Sequence, residues 1–484
     1  MSLTERPAIV EVGSAIGLAA LEDRVQQDLA HLAHPDAGWT RSVSDVADYD
    51  VVIVGGGQAG LTAATKLRRE GVERVLVLDQ NPAGAEGPWA TWARMHTLRT
   101  PKELHGPDAG VPSASFASWY IAQHGAPAWR TLDLIPRQMW MDYLVWIRSV
   151  FRVPVRNEVQ VDGVRADGHT LNLQIRRRGS SQRAGLSTRR LVICTGYSGI
   201  GGPRLPHVVS HLDRSLWAHS SESIDFAALR GQRVAVLGAG ASAFDNAATA
   251  LEAGARDVVQ YVRRPRLPTL NSARFGEFRG MYRHFGALDD AARIAIARRR
   301  LSLPMPAPDY SVARCSVHDA YDLRLGSGWT DVRERAGGIE IHATDGTREV
   351  FDFAILGTGF VVDLRRVPWL APVVGHIALW GDRHPLDGSD VDRAIAAYPY
   401  LGTGMGCTRR ESWSPGAVEG IYMLNAAGLV SAGITSAGIN GLAYGTDTVV
   451  QDVTRSLFLE DAREHIERFL DQTRPDEGSP RPGR

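Results

Sequence analysis

Two stretches of the chain repeat one arrangement of apolar and polar positions. Each opens with an unbroken apolar run, at residues 51–54 and 234–237, passes through a glycine-rich turn and continues into an alanine-rich segment. Short apolar runs bounded by turn residues are typical of strands buried on both faces, and alanine favours a helix. The pattern therefore predicts two strand–turn–helix units.

The same reasoning from period and turn residues predicts the rest of the framework. Strands are predicted at 73–78, 257–262, 191–196 and 351–359, with short strands within 153–191 and helices at 15–33, 137–146 and from 426 to about 459. The strands at 191–196 and 351–359 both end in Thr-Gly. We expect each of these two to return the chain to the first unit after an excursion.

The predicted architecture is an α/β fold of two Rossmann-like dinucleotide-binding domains, with the second inserted into a discontinuous first. The predicted boundaries are an N-terminal extension (1–48), the first part of the first domain (49–205), a linker (206–230), the second domain (231–345) with an insertion at 266–330, the second part of the first domain (346–465) and a flexible C-terminal tail (466–484).

The two turns are candidate dinucleotide sites. Both read G-x-G-x-x-G/A between a strand and a helix, where glycines permit a tight turn and let the backbone approach a pyrophosphate at the helix N-terminus. The candidate cofactor-binding residues are Gly55, Gly57, Gln58, Ala59 and Gly60 in the first turn and Gly238, Gly240, Ala241, Ser242 and Ala243 in the second.

The residues that follow the next strand of each unit predict which dinucleotide binds. Asp79, next to Gln80, can accept hydrogen bonds from ribose hydroxyls and would repel a 2′-phosphate. In the second unit Arg263 and Arg264 occupy this position, and a guanidinium fork matches a phosphate. We expect FAD at the first turn and NADPH at the second; a solvated basic turn is the alternative for the two arginines.

Composition narrows the function classes. The 54 basic and 54 acidic residues give no net charge, so nothing indicates a nucleic acid or a membrane surface as partner. Three separate cysteines indicate a reducing, cytoplasmic setting and disfavour a disulfide reductase. No apolar run is long enough for a membrane helix, and no metal-ligand spacing occurs, so no metal is expected.

Together these motifs resemble those of class B flavin-dependent monooxygenases, over residues 49–460. The resemblance rests on both turns, on Gly-Pro-Trp at 87–89, on the two Thr-Gly strands, and on 95–104, which is similar to the flavin-facing loop of flavin-containing monooxygenases. A bacterial subgroup of flavoprotein monooxygenases is similar at 96–125, 398–402 and 424–425. The resemblance implies further cofactor contacts from Trp89, Thr195, Gly196, His219, Ser220, Thr358 and Gly359.

Two departures prevent assignment to one branch. The loop lacks the Asn of flavin-containing monooxygenases, because Thr100 directly precedes Pro101. In the linker signature F-x-G-x-x-x-H, Asp213 and Ser215 replace Phe and Gly, although His219 fits.

The catalytic candidates are His96, Arg99 and Lys102 in the loop and Asn425 before the terminal helix. A cation near the flavin would stabilise an anionic reduced flavin or a peroxide, and the amide of Asn425 could meet the flavin or its ribityl chain. Structural hydrogen bonding within a long loop is the alternative role for the three loop residues.

The resemblance implies an FAD- and NADPH-dependent monooxygenase that uses molecular oxygen through a C4a-(hydro)peroxyflavin. A small molecule is the expected substrate, oxygenated preferentially at nitrogen (N-hydroxylation) by analogy with relatives that share the loop. The alternatives are Baeyer–Villiger oxygenation of a ketone, an NADPH-dependent flavin reductase or oxidase without oxygenation, and a non-catalytic flavoprotein sensor. A homo-oligomer is left open.

Overall fold

Two sheets built mainly of parallel strands, and one small antiparallel sheet, form the framework of the protein. The computed structural model describes residues 16–33, 38–40, 47–436 and 438–471. Its strands are β1 Tyr49–Val54, β2 Val75–Leu78, β3 Val155–Arg156, β4 Val159–Asp167, β5 Thr170–Arg177, β6 Arg183–Ile193, β7 Trp217–His219, β8 Arg233–Leu237, β9 Asp257–Val262, β10 Tyr321–Leu325, β11 Trp329–Arg335, β12 Gly338–Ala343, β13 Arg348–Phe351, β14 Phe353–Leu356 and β15 Ile421–Met423.

Helices cover these sheets and connect their strands. They are α1 Leu18–His31, α2 Gln58–Arg69, α3 Phe116–Thr131, α4 Arg137–Val150, α5 Ala241–Glu252, α6 Arg279–His284, α7 Asp290–Ser302, α8 Asp309–Ser316, α9 Ala371–Val374, α10 Trp380–Arg383, α11 Asp390–Ala396, α12 Leu429–Ala432 and α13 Leu442–Leu470.

The first sheet has the order β3-β2-β1-β6-β5-β4, with β15 also beside β6. Strand β6 serves two partners on one side: Arg183 to Thr188 pair antiparallel with β5, and Leu191 to Ile193 pair parallel with β15. Strands β1 and β2 are almost wholly buried, as their unbroken apolar runs predict. Because β1, β2, β6 and β15 are parallel, their carboxyl ends meet at one edge.

The second sheet, β10-β9-β8-β14-β7, is parallel throughout. The carboxyl ends of β7, β8, β9 and β14 therefore share an edge as well. The antiparallel sheet β11-β12-β13 adjoins this unit and shares its apolar core. Both edges are where open α/β sheets bind their ligands.

The chain passes between the two parallel sheets twice, and the two crossings are hydrogen-bonded to each other. The N–H of Arg204 donates to Gly359 O at 2.8 Å, Val361 N–H to Gly202 O at 2.9 Å and Asp363 N–H to Ile200 O at 2.9 Å. The segments 200–204 and 359–363 thus form an antiparallel strap between the two domains.

Three predictions about the framework are wrong. Strand β14 does not return to the first sheet, because it pairs in parallel with β8 and β7. The predicted helix from 426 is replaced by short helical turns and α12, and α13 begins only at Leu442. That helix runs to Leu470, so the part of the predicted flexible tail that is described, 466–471, is helical up to Leu470.

Parts of two predicted segments lie outside the described residues: 1–15, 34–37 and 41–46 of the N-terminal extension and 472–484 of the tail. In the described part of the extension, α1 buries Leu21, Val25 and Leu29. Gly17 N–H donates to Ala122 O of α3 at 2.8 Å, so α1 packs on the outside of the first domain.

Candidate functional site

The first glycine turn follows β1 and cannot accept side chains at its two tightest points. Gly55 has φ +108°, and a Cβ there would lie 2.5 Å from the carbonyl oxygen of Cys194. A Cβ on Gly60 would lie 1.9 Å from the carbonyl oxygen of Gly55. Helix α2 begins at Gln58, so its free N–H groups and the positive end of its dipole face the turn. This cradle fits a pyrophosphate.

Asp79 lies directly after β2 and its carboxylate reaches back to the turn. The carboxylate accepts hydrogen bonds from the N–H of Gly56 at 2.7 Å and from the N–H of Asn81 at 2.8 Å. Asp79 as a whole is 7% exposed. Burial raises the pKa of this carboxyl group. A carboxylate has about four acceptor positions, so two stay available for ribose hydroxyls. Gln80 is exposed beside it.

A cavity of about 420 Å³ opens next to this turn. Its lining includes Gly56, Gly57, Glu86, Met141 and Arg148. The Glu86–Arg148 ion pair, at 2.8 Å, crosses one wall. The cavity and the turn together could hold the nucleotide half of FAD.

Two polar side chains, Thr195 and Asn425, lie where β6 and β15 end, and they differ in their hydrogen bonding. The hydroxyl of Thr195 is buried and has no hydrogen-bond partner among the described residues, which suits a ligand at this edge. Gly196 follows it and is exposed. Asn425, by contrast, donates to Ile193 O and accepts from Ala427 N–H, both at 2.9 Å, and is 1% exposed. Its amide joins β15 to β6.

The loop that begins at Trp89 packs against the first turn through α4. Trp140 Nε1 donates to Gln58 Oε1 at 3.3 Å, and Arg137 donates to the carbonyls of Trp89 and Met95. Trp89 is half-buried against the core of the first domain. The loop therefore lies where a flavin bound along the turn would extend.

Lys102 is bound to the end of α3. Its Nζ donates to Trp129 O at 2.7 Å and Leu132 O at 2.5 Å and lies 4.8 Å from the centre of the Trp129 ring. The ammonium donates to carbonyls at the end of the helix that lack partners within the helix. These contacts correspond to the alternative role given above for the loop residues, structural hydrogen bonding.

Arg99 and His96 both reach the second domain. Arg99 Nη2 lies 2.8 Å from Asp245 Oδ2, and His96 Nε2 lies 3.6 Å from Glu252 Oε2. Both acids are on α5. His96 is largely exposed, whereas Asp245 is buried. The structure thus brings two of the four catalytic candidates to an interface between domains.

The second turn repeats the design of the first. Gly238 has φ +138°, and a Cβ there would lie 2.4 Å from the carbonyl oxygen of Gly357. Helix α5 begins at Ala241, with Gly240 before it and Ser242 exposed in its first turn. Buried Ala243 packs against Gly357 on β14's carboxyl side.

Arg263 and Arg264 follow β9 at the same edge. Arg263 is exposed and Arg264 is half-buried, so both side chains can be reached by an anionic ligand. They stand where the ribose end of a dinucleotide at the second turn would lie.

Aromatic rings gather where the two domains meet. The Phe360 ring centre lies 5.9 Å from Trp92, 6.2 Å from Tyr197 and 5.5 Å from His219. Trp92 belongs to the first-domain loop, and Tyr197 and Phe360 directly follow the two Thr-Gly pairs. We call Trp92, Tyr197 and Phe360 the aromatic cluster.

His219 ends β7 and is fully buried, and burial lowers its pKa, so the ring is neutral near pH 7. Its Nδ1 lies 2.8 Å from Ser221 Oγ. Its Nε2 makes no hydrogen bond of good geometry within the described residues, although the Gly359 backbone is close. Buried Ser220 donates its N–H to Leu356 O at 3.1 Å. Thr358 Oγ1 donates to Arg204 O in the strap.

Comparison with known proteins identifies the family. The family model described as pyridine nucleotide-disulphide oxidoreductase matches residues 52–273. An FAD-dependent urate hydroxylase of Xanthomonas campestris pv. campestris is 39% identical over 462 residues, which are 94% of this chain and 96% of the relative. The chain belongs to the class B flavin-dependent monooxygenases.

Solved structures share the fold of this monooxygenase. The ornithine hydroxylase of Pseudomonas aeruginosa has a TM-score of 0.65 at 18% identity, covering 84% of this chain and 99% of the other. The ornithine N-hydroxylase of Kutzneria sp. 744, solved with reduced FAD and NADP⁺, has a TM-score of 0.65 at 16% identity over the same shares. The predicted fold class and the predicted cofactors, FAD and NADPH, are confirmed.

Cys194, Cys315 and Cys407 are buried free thiols, and burial raises the pKa of each. In the described ranges no three His, Cys, Asp or Glu side chains are arranged to hold a metal ion. None of the helices described in the monooxygenase is long and apolar enough to span a membrane.

Sequence reasoning missed Tyr197, Phe360 and Asp245. The two aromatic residues could have been found, because each directly follows a Thr-Gly pair. Asp245 gave no such signal: an acid near the start of a helix is usually explained by the helix dipole.

Proposed function

We propose that this monooxygenase hydroxylates a planar, anionic nitrogen heterocycle of the urate class. The observation that carries the proposal is the 39% identity to a urate hydroxylase across 94% of the chain. An alignment of this extent leaves about 6% of the chain unmatched. It supports a shared substrate class as well as shared cofactors.

The aromatic cluster supports a flat substrate. Tyr197 is half exposed, yet the protein around it desolvates the phenol enough to raise its pKa, as expected for a side chain that lines a cleft. Flat rings stack favourably on such a surface, with centroid separations of about 4.5–7 Å.

Two arginines support a negative charge on that substrate. Arg204 is exposed, and its Nη2 lies 3.4 Å from the carbonyl oxygen of Phe360 in the cluster. Arg300 on α7 has a buried Nε without a hydrogen-bond partner among the described residues. Burial raises the pKa of Tyr398, and Arg204 and Arg300 both oppose that rise, so both arginines lie near this phenol. Urate is an anion at neutral pH and complements this charge.

N-hydroxylation of an amine is the second candidate, and the similarity of the loop at 95–104 supports it. A primary ammonium substrate would need an acid in its pocket. The two groups that lower the pKa of Tyr398, Arg204 and Arg300, are both cations. This charge favours the heterocycle over the amine.

In the same proposal the chain's own residues hold the cofactors in separate roles. Asp79 binds the FAD ribose, the turn at 55–60 cradles the FAD pyrophosphate, and Thr195 contacts the flavin. The turn at 238–243 cradles the NADPH pyrophosphate, and Arg263 and Arg264 bind its 2′-phosphate.

The residues at the domain junction have the remaining roles. Trp89 shields the flavin, and His219, Ser220, Thr358 and Gly359 border the nicotinamide. Lys102 and Asn425 position the loop and β15. Flavin, when bound, supplies the oxygen chemistry, and the aromatic cluster excludes water around it.

The test is oxygen-dependent turnover by the flavin-loaded enzyme. NADPH oxidation, urate loss and hydrogen peroxide release are measured together, with ornithine and a cyclic ketone as comparison substrates. We expect urate loss to match NADPH use, with little peroxide. Coupled turnover of ornithine or of the ketone instead would replace the proposal with N-hydroxylation or Baeyer–Villiger chemistry. Stoichiometric peroxide with every compound would indicate an oxidase.

Arg204→Gln separates substrate binding from coenzyme binding. We expect it to raise the urate KM by about tenfold or more, the loss of one charge-assisted hydrogen bond, with an unchanged NADPH KM. Arg165→Gln, an exposed arginine on β4, is the matched control. A rise in the NADPH KM alone would assign Arg204 to the coenzyme.

A further inference from the structure

One buried carboxylate at the domain interface receives three polar partners from two domains. Asp245 on α5 has a side chain that is 3% exposed. It accepts from Arg99 Nη2 at 2.8 Å, from Ser311 Oγ at 2.7 Å and from Arg314 Nη1 at 3.3 Å. Arg99 comes from the first domain, and Ser311 and Arg314 come from α8 of the second.

Further contacts tie the same loop to the same two helices. Tyr310 OH donates to Thr97 O at 3.1 Å, and Arg314 Nη1 donates to Arg94 O at 3.2 Å. Arg314 also binds Glu252, at 2.9 and 2.8 Å, and Glu252 lies 3.6 Å from His96. In these contacts, the polar groups of residues 94–99 bind side chains of α5 or α8.

This interface connects the two dinucleotide turns. On one side, α5 begins at Ala241, immediately after the second turn, and Asp245 is about one helical turn further along. On the other side, Arg137 holds the loop carbonyls, and Trp140 of the same helix α4 donates to Gln58 in the first turn. The path from one turn to the other is continuous through packed helices and hydrogen bonds.

Electrostatics makes the Asp245 link stiff. A buried charge is costly without partners, and loss of Arg99 would leave Asp245 with only Ser311 at 2.7 Å and Arg314 at 3.3 Å. Arg99 is the partner that the first domain supplies. A displacement of α5 must therefore either take the loop at 94–99 with it or break this charge pair.

We propose that Asp245 is a positioning residue that couples coenzyme binding at the second turn to the conformation of the loop at 94–99. The N-terminus of α5 binds the coenzyme pyrophosphate, and the helix transmits the resulting shift to Asp245. Arg99 follows Asp245 and sets the loop beside the flavin site. Arg99 acts through this pair, not by direct contact with reacting atoms.

The test uses hydrogen–deuterium exchange of the FAD-loaded protein with and without NADP⁺, followed in peptides that cover 89–104. In the parent enzyme we expect NADP⁺ to slow exchange in this loop by about fivefold or more. Asp245→Asn keeps the shape and removes the charge, and Arg99→Met removes the other partner. Both should abolish the protection while calorimetry still detects NADP⁺ binding.

Activity provides a second readout. Both variants should reduce flavin at saturating NADPH without oxygen, yet release more peroxide per NADPH in air. The double variant should match either single one, because one link is lost in each. Arg99→Lys should recover part of the protection. Arg463→Met, an exposed arginine on α13, is the control and should behave as the parent enzyme.

Arg99→Met keeps the test decisive if Asp245→Asn fails to fold, because Arg99 is 37% exposed at the surface of the interface. Persistence of NADP⁺-induced protection in folded Arg99→Met would overturn the coupling. An effect of Arg99→Met without any effect of Asp245→Asn would also overturn it, and would assign Arg99 directly to the flavin.

Discussion

Replacing Arg189 by Met tests how the terminal helix is held on the first sheet. Arg189 lies on β6, and its side chain is 1% exposed. It binds Asp50 of β1 at 3.1 Å, Glu460 at 3.0 Å and Asp461 at 2.7 Å, the last two on α13. Methionine would fill much of the space without the charge.

The expected loss follows from the burial of the partners. The side chains of Asp50 and Asp461 are both 0% exposed, and breaking a buried ion pair costs about 3–5 kcal/mol of stability. Asp50 retains Arg74 at 2.8 Å, which limits its share of the loss. Because domains are stable by about 5–15 kcal/mol, this loss is at least about a fifth of the margin of the protein.

Urea unfolding followed by circular dichroism and by flavin release measures the effect. Flavin should leave at lower urea than in the parent enzyme, because α13 follows the segment that begins at Asn425, at the ligand edge of the sheet. Arg463→Met, which breaks an exposed ion pair on the same helix, is the control for charge alone. A loss below about 1 kcal/mol for Arg189→Met would refute the reasoning, since that is the range of exposed pairs.

Three further predictions concern the cofactors and pH. Asp79→Ala removes the acceptor of the Gly56 N–H and the proposed ribose ligand, so the purified protein should contain little flavin by absorbance; full flavin content would contradict this role. Arg263→Ala combined with Arg264→Ala should raise the KM for NADPH by about tenfold and leave that for NADH nearly unchanged, whereas equal changes would exclude a 2′-phosphate contact. Burial lowers the pKa of His219 in the folded state, so the unfolded state binds the proton more readily and stability should fall as pH drops below about 6.5. His219→Gln should weaken that fall in melting temperature measured from neutral to acidic pH, and an identical pH profile would show that this ring does not contribute.

The sequence predicted those features that depend on local geometry. Gly55 and Gly60 indicate a turn that only glycine can form. The apolar runs of β1 and β8 predict strands buried in parallel sheets. Pairing partners are different, because they depend on distant residues. The strand at 353–356 carries the same apolar pattern and Thr-Gly ending as β6, and nothing in the pattern says which sheet it joins.

Side-chain roles were the hardest to predict for the same reason. Lys102 reads as a cation beside a flavin, but the carbonyls at the end of α3 surround it in the fold. Asn425 reads as a ligand, but the amide completes the contact between β15 and β6. The interaction of Arg99 with Asp245 joins residues from two domains, and no spacing along the chain reveals such a pair.

The strap between the domains has a consequence for how a chain of this kind can be assembled and cut. Entry to the second domain at 200–204 and exit at 359–363 lie within hydrogen-bonding distance of each other, so the first domain is interrupted by a gap no wider than a tight turn. Strands β6 and β15, which pair with Leu191 opposite Ile421, lie before the first crossing and after the second. Once the second domain has folded, the connection between β6 and β15 is effectively shortened to the segments 194–204 and 359–420, and the entropy of closing it falls accordingly. A short turn that joins residue 204 to residue 359 would also hold the two halves of the strap side by side. We expect a chain shortened in this way to fold as a domain that binds one dinucleotide.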